Sequence, residues 1–211
     1  MVPSTGNRRK KKKAGQYHHG DLQRALLEEA LRTIQTDGVE YLTLRGVGER
    51  LGVSRTALYR HFSDKQALLA AVGREGFRML RLALTGAWEQ DGRGREGFEA
   101  MGLAYVRFAV AHPSHYRVMF GRFVESCSKD AAFVQEATAA FQVLVDSLVE
   151  QQHAGLVRRD DPIILARFVW SVVHGIAMLA IDGQLRGVDA RGEVLNQYAV
   201  ERLHDAIKAA S

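Results

Sequence analysis

The stretch that decides the fold is LGVSRTALYRHFSDKQAL, which runs from Leu51 to Leu68. Its pattern predicts the end of one short helix, a tight turn at Gly52 and Val53, a second short helix capped by Ser54, and the start of a third. Glycine accepts the left-handed backbone that such a turn requires, and the valine fills the angle between the helices. The stretch therefore predicts a helix-turn-helix.

The second of these helices carries side chains that can contact DNA. Arg55, at its start, can bridge the O6 and N7 atoms of guanine, and Thr56 can bind a base edge or a thymine methyl group. Tyr59 and His61 lie one turn further on and suit phosphate groups, whereas Lys65 adds a charge at the start of the following helix. The predicted DNA contacts in this region are Thr43, Arg45, Ser54, Arg55, Thr56, Tyr59, Arg60, His61 and Lys65.

A run of six basic residues, Arg8 to Lys13, precedes the helix-turn-helix. The chain of 211 residues has a formal net charge of +5, so the part outside this run has a net charge near −1. A basic arm on a near-neutral body suits phosphate binding, although such a run by itself is equally typical of a solubilising tail. With the helix-turn-helix beside it, we predict a disordered arm over residues 1–16 that contacts DNA through Arg8, Arg9, Lys10 and Lys11.

Hydrophobic periodicity predicts helices throughout the rest of the chain, and therefore an all-α fold. A capping box formed by Ser63 and Gln66 is predicted to open the fourth helix. The predicted helices run from about Asp21 to the stop at Gly38, Leu44–Leu51 after the cap Thr43, from Ser54 to about Phe62, Asp64 to about Trp88, Phe98–Ala111, Tyr116–Phe123, Ala131 to about Gln152, Pro162 to about Ile181 and Val194–Ala209, with a loop at Asp91 to Gly94.

The helix that begins at Pro162 is apolar nearly all round. Arg167 interrupts it and leaves a run that is too short to span a bilayer, so we expect no contact with a membrane. A helix of this kind is buried on most sides, yet the last helices of a small all-helical domain lie near its surface. A second copy of the chain is therefore the expected cover.

Large apolar side chains in the second half of the sequence can line a ligand pocket. For any one of them, ordinary core packing is the favoured alternative. Trp170 and His174 lie on one face of a helix at a spacing of four residues. The histidine can hydrogen-bond a ligand or, as we favour, a backbone carbonyl. The predicted ligand-binding residues are Phe108, Met119, Phe120, Phe123, Phe141, Trp170, His174 and Met178.

Three other classes of function deserve comparison. An enzyme would have Cys127 with His115 as the only Cys–His pair worth naming, and no motif supports it, so we expect neither catalysis nor a cofactor. A metal-responsive regulator would use His112, His115 and Cys127, whose spacing matches no standard zinc site. A sequence-blind nucleoid protein would share the basic arm but would not need Arg55. A single cysteine allows no internal disulfide and, with no apolar signal segment, indicates a cytoplasmic protein.

Residues 17–68 resemble the N-terminal domain of the TetR family of transcriptional regulators. The pattern LGVS…LYRHF.DK.ALL carries the resemblance, together with YHHGDLQRALLEEAL at Tyr17–Leu31. Gly46 and Gly48 depart from the family, which more often has Ala or Glu there, and each is expected to weaken its helix. The matching positions are Gly52, Val53, Leu58, Tyr59, Phe62 and Lys65.

The second half of the chain resembles a TetR variant with Trp-x3-His-Gly on its penultimate helix. Trp170, His174 and Gly175 provide that motif, and AHPSHYRVMFGR at Ala111–Arg122 also fits the variant. The resemblance implies about nine helices, a homodimer through the last two long helices and a ligand cavity within residues 69–211. It also implies a palindromic double-stranded DNA operator, a small-molecule effector and, as the family's usual mode, repression.

Overall fold

The computed structural model describes residues 19–90, 92–185 and 187–209. The predicted arm contacts Arg8, Arg9, Lys10 and Lys11 lie outside this range. Within it the chain is all-α, as predicted, with one isolated β-bridge between Val157 and Lys208. The helices are α1 (His19–Thr36), α2 (Leu44–Leu51), α3 (Arg55–His61), α4 (Lys65–Gln90), α5 (Gly94–Ala111), α6 (Pro113–Phe120), α7 (Val124–Cys127), α8 (Ala131–His153), α9 (Pro162–Ile181) and α10 (Glu193–Ile207).

Helices α1 to α3 form a small three-helix unit around a shared core. Leu26 of α1, Val47 of α2 and Leu58 of α3 are almost completely buried in it. At the end of α2, Gly52 has a φ of 66° and the Val53 amide donates to the carbonyl of residue 48 at 3.0 Å. This left-handed cap turns the chain sharply, and it sets the angle between α2 and α3.

Gly48, expected to be a weak point of α2, lies where α3 packs most closely. It is buried, and a Cβ atom there would come within 2.9 Å of Leu58 Cδ2. The lost helix propensity is therefore offset by the close approach of α2 and α3 that a missing side chain allows.

The predicted capping box at the start of α4 is wrong. Asp64, not Ser63, caps the helix, since its Oδ1 accepts from the Ala67 amide at 2.8 Å. Ser63 instead donates from its hydroxyl to Asp64 Oδ2 at 3.2 Å. A carboxylate lies one residue nearer the helix and interacts more strongly with the positive end of the helix dipole. The helix consequently begins at Lys65.

Helix α4 is the longest, and it connects the three-helix unit to a larger body made by α5 to α10. In that body it packs against α5, α6 and α8. Gly73 permits the contact with α8, because a Cβ there would lie 2.5 Å from Phe133 Cε2. The same helix thus belongs to both parts of the molecule.

Several helix boundaries in the body differ from the prediction. Helix α5 begins at Gly94, four residues before the expected Phe98. The short aromatic helix begins at Pro113, not Tyr116, because proline suits a first helical position, where no amide bond is needed. It ends at Phe120, since Gly121 is extended (φ −84°, ψ −173°), and α7 then follows as a separate turn.

By length and composition alone, α8 and α9 are apolar enough to cross a membrane. Buried core helices of soluble proteins pass the same test. Here Leu148 of α8 and Leu165 and Val173 of α9 are buried against the rest of the body. This packing accounts for part of their apolar character, and an exposed outer face of α9 accounts for another part.

Candidate DNA-binding face and ligand cavity

Helix α3 exposes the predicted DNA-reading side chains on one side. Arg55, Thr56, Tyr59 and Arg60 are all exposed, whereas Leu58 on the opposite side is buried. The Arg55 guanidinium carbon lies 6.0 Å from the centre of the Tyr59 ring, within cation–π range. The helix is therefore anchored by one face and presents the other, as reading a groove requires.

The remaining predicted contacts surround this helix. Thr43 and Ser54 are exposed, and their side-chain oxygens cap α2 and α3 by accepting backbone amides. Arg45 pairs with Glu49 across one turn of α2 at 2.7 Å, and that hydrogen bond raises its pKa further. His61 is half-buried at the end of α3. All four stay predictions as DNA contacts.

Tyr41 is an exposed aromatic residue that the sequence analysis did not select. It lies in a short 3-10 turn, Val39–Tyr41, directly before α2, and 74% of it is exposed. Its position two residues before the cap Thr43 makes it a further candidate for a phosphate contact. The signal in the sequence was an aromatic residue two positions before a helix cap.

Lys65 is half-buried and hydrogen-bonded within the protein, and its contact with a DNA phosphate stays a prediction. Its Nζ donates to the carbonyls of Val39 and Glu40 at 2.9 and 3.1 Å, and it lies 5.3 Å from the Phe123 ring. Burial lowers its pKa. This lysine therefore ties the start of α4 to the turn before α2. Glu40 in that turn also pairs with Arg122, at 2.6 Å.

We expect Lys65→Met to lower the free energy of unfolding by about 1 to 2 kcal/mol, because two carbonyls lose a charged donor. If the two carbonyls occupy the ammonium group in the DNA complex as well, the salt dependence of DNA binding should not change. Urea unfolding and DNA titrations at several salt concentrations measure the two effects. Lys129→Met, at an exposed position before α8, is the control. A flatter salt dependence with unchanged stability would show that Lys65 contacts a phosphate.

A cavity of about 550 Å³ lies in the body between α4, α5, α6, α8, α9 and α10. Five of the eight predicted ligand-binding residues line it. These are Met119, Phe120, Phe141, Trp170 and His174. Several other residues that line it were not predicted, among them Phe77, Leu84, Met101, Tyr105, Phe133 and Arg167.

The other three predicted residues are not among those that line the cavity. Phe108 is buried, with its ring 5.1 Å from that of His112. The Phe123 ring lies beside Lys65, and Met178 is 36% exposed on the outer side of α9. Apolar character predicts burial or packing, but it does not tell which side of a helix faces a cavity.

A chain of four hydrogen-bonded side chains lies at one wall of the cavity, and three of them, Tyr105, Trp170 and His174, line it. The Trp170 indole N–H donates to the Tyr105 hydroxyl at 2.9 Å, which lies 2.9 Å from the Tyr116 hydroxyl. That hydroxyl is 2.6 Å from His174 Nδ1. The expected backbone partner of His174 is therefore wrong, because Nδ1 faces the hydroxyls of Tyr116 on α6 and, at 3.1 Å, of Tyr105 on α5.

Counting protons assigns the tautomer of His174. If Nδ1 accepts, Trp170 donates to Tyr105, one tyrosine hydroxyl donates to the other, and the second donates to Nδ1, so every donor has an acceptor. If Nδ1 instead carried the proton, one of the two tyrosine hydroxyls would have no acceptor among these groups. Burial raises the pKa of both tyrosines and lowers that of His174, so all three are neutral. We infer that His174 keeps its proton on Nε2.

The three residues of the metal alternative do not form a site. His112 and His115 have ring centres 5.9 Å apart, and burial lowers the pKa of His115, which faces Glu75 at 3.6 Å. Cys127 is buried in α7, and burial raises the pKa of its thiol. Across the ranges that the structure describes, no group of three or more His, Cys, Asp or Glu side chains is arranged to hold a metal.

Comparison with known proteins shows to which family the chain belongs. A family model described as the C-terminal domain of tetracyclin-repressor-like proteins matches residues 98–203. A second, described as bacterial regulatory proteins of the tetR family, matches residues 26–72. The protein belongs to the TetR family. As a TetR-family member it is a DNA-binding transcriptional regulator and not an enzyme.

Individual relatives of this TetR-family protein agree along most of its length. It is 35% identical to the HTH-type transcriptional repressor Rv1474c of Mycobacterium tuberculosis, over 82% of this chain and 89% of that one. It is 28% identical to the HTH-type transcriptional repressor AcnR of Corynebacterium diphtheriae, over 87% of each. A solved structure of a protein of unknown function from Rhodococcus sp. RHA1 has 34% identity and a TM-score of 0.80, over 93% and 99% of the two chains.

Proposed function

We propose that this regulator is a cytoplasmic homodimeric repressor that reads a palindromic operator through α3. In this proposal a small apolar or amphipathic molecule in the cavity of the body releases it from DNA. The observation that carries the proposal is α4, whose first turn is tied to the three-helix unit while Phe77 and Leu84 further along line the cavity. Two relatives bear the name of transcriptional repressors, which supports the direction of regulation.

The outer face of α9 and α10 supports a dimer. Ile164, Phe168, Val194 and Tyr198 are exposed there, and they are large apolar or aromatic side chains. At Gly175 a Cβ atom would meet no other packed atom within 4 Å in the described chain, so the monomer itself does not need a glycine. A second copy crossing at that point would use the space, since small residues allow helices to approach closely.

A dimer built this way would present two α3 helices to one side of the duplex. Half-sites read by such pairs lie one helical turn apart, about 34–36 Å centre to centre. The basic arm, with Arg8, Arg9, Lys10 and Lys11, is proposed to add phosphate contacts that hold each half in register.

Release would require the effector to prefer a dimer whose α3 spacing does not fit the operator. Besides α4, a second connection leads from the cavity to the DNA-binding unit. Gly121 lines the cavity, and the next residue, Arg122, pairs with Glu40 in the turn before α2. A ligand that moves this wall would therefore act on the segment that positions α2 and α3.

Selection from random duplexes at near-physiological salt tests the proposal. We expect an inverted repeat, and Arg55→Ala should relax the preference at one base pair of each half-site, at a cost of about 1 to 3 kcal/mol per contact. Arg159→Ala, an exposed arginine in the loop before α9, is the charge-matched control. Equal retention of all duplexes by the intact protein would contradict sequence-specific reading.

A further inference from the structure

The charge of the cavity wall restricts what the cavity can hold. Among the described residues that line it, Arg167 is the only one with a charged side chain. None of the described residues that line it is an aspartate or a glutamate. A cationic ligand would therefore lose its hydration without gaining a counter-charge, which is costly in an apolar site.

Arg167 lies at the mouth of the cavity and is exposed to solvent. Within the described chain its guanidinium has no carboxylate within 4.0 Å, unlike the arginines that form ion pairs. A guanidinium in this position can bind an oxyanion through two parallel hydrogen bonds while the charge stays partly hydrated.

The interior beyond Arg167 is neutral and mostly apolar. The polar side chains that line it are Tyr105, Trp170 and His174, which are hydrogen-bonded to one another and to Tyr116, so that their donors are used internally apart from the His174 Nε2 proton. His174 is seven residues after Arg167 on α9, about 10 Å along the helix. An elongated apolar body can therefore extend inward along α9 from a charged group held at the mouth.

We propose that the cavity binds a hydrophobic monoanion, with a carboxylate on Arg167 and an apolar chain reaching past Trp170 toward His174. This assignment rests on the proposed function of the cavity as the effector site, and it names the class of effector. Neutral molecules of the same shape gain only the apolar contacts, and ammonium ions of the same shape are disfavoured.

Three ligands of equal chain length test the charge preference: decanoate, decanol and decylamine. Their extended length is of the same order as the separation of Arg167 and His174. Calorimetric titration of the full-length protein at neutral pH should give decanoate an affinity roughly tenfold above that of decanol, with decylamine the weakest. Arg167→Gln should reduce the affinity for decanoate to that for decanol and leave decanol unchanged. Arg159→Gln removes the same charge away from the cavity and should preserve the preference.

Equal affinities for decanoate and decanol, preferential binding of decylamine, survival of the preference in Arg167→Gln, or no binding by any of the three would each overturn the inference. The operator complex provides a separate readout. If decanoate binds with the expected preference but leaves the complex intact, the ligand class stands and ligand-induced release by this class fails.

Discussion

Phe168→Glu is expected to convert the protein to monomers and to weaken operator binding by about a hundredfold or more. Phe168 lies in the middle of the outer face of α9 and is 47% exposed in the single chain. In a two-fold symmetric interface through this face, each copy would bury a new carboxylate in an apolar surrounding without a counter-charge. Because a palindromic operator is read by two linked helices, loss of the dimer also removes the second half-site contact.

Sedimentation measures the oligomeric state of this variant, and fluorescence anisotropy with the selected duplex measures its binding. Val134→Glu is the matched control, since Val134 is 41% exposed on α8, outside that face. We expect the control to remain dimeric and to bind as tightly as the unmodified protein. A dimer that persists in Phe168→Glu would place the interface elsewhere on the molecule.

Leu58→Ala is expected to lower the free energy of unfolding by about 3 kcal/mol and to abolish specific operator binding. Leu58 is 1% exposed and is the main side chain by which α3 is fixed to α1 and α2. The missing volume would lie directly against Gly48, where no side chain can move in to fill it. The recognition helix would then lose its fixed orientation.

Urea unfolding gives the stability change for Leu58→Ala, and hydrogen exchange shows whether it is confined to the three-helix unit. Leu82→Ala, at a leucine of α4 that is 53% exposed, should cost less than about 0.5 kcal/mol. Retention of specific binding by Leu58→Ala would mean that α3 is held by contacts other than this one.

Local sequence signals predicted the helices best. The bounds Leu44–Leu51 and Pro162–Ile181 agree with the structure, because a cap or a proline marks the start of each. The errors arose where two local signals competed. Ser63 and Asp64 are both good caps, and Pro113 can either end one helix or begin the next.

The cavity was predictable only in part, because its walls depend on how distant helices pack. The spacing of Trp170 and His174 identified one wall correctly. The tyrosines that complete the polar chain lie 58 and 69 residues away from His174, and no local pattern links them to it. The individual DNA contacts and the domain limits at residues 1–16, 17–68 and 69–211 stay predictions.

The burial of Cys127 has a practical consequence for measuring the dimer. Its side chain is inaccessible and its thiol has a raised pKa, so it should resist thiol-directed dyes while the protein is folded. Gln66→Cys, at an exposed site beside α3, would then be the only reactive position in each copy. A spin label or fluorophore attached there in each copy would measure the distance between the two DNA-binding units of the dimer, with and without decanoate, in an otherwise native chain.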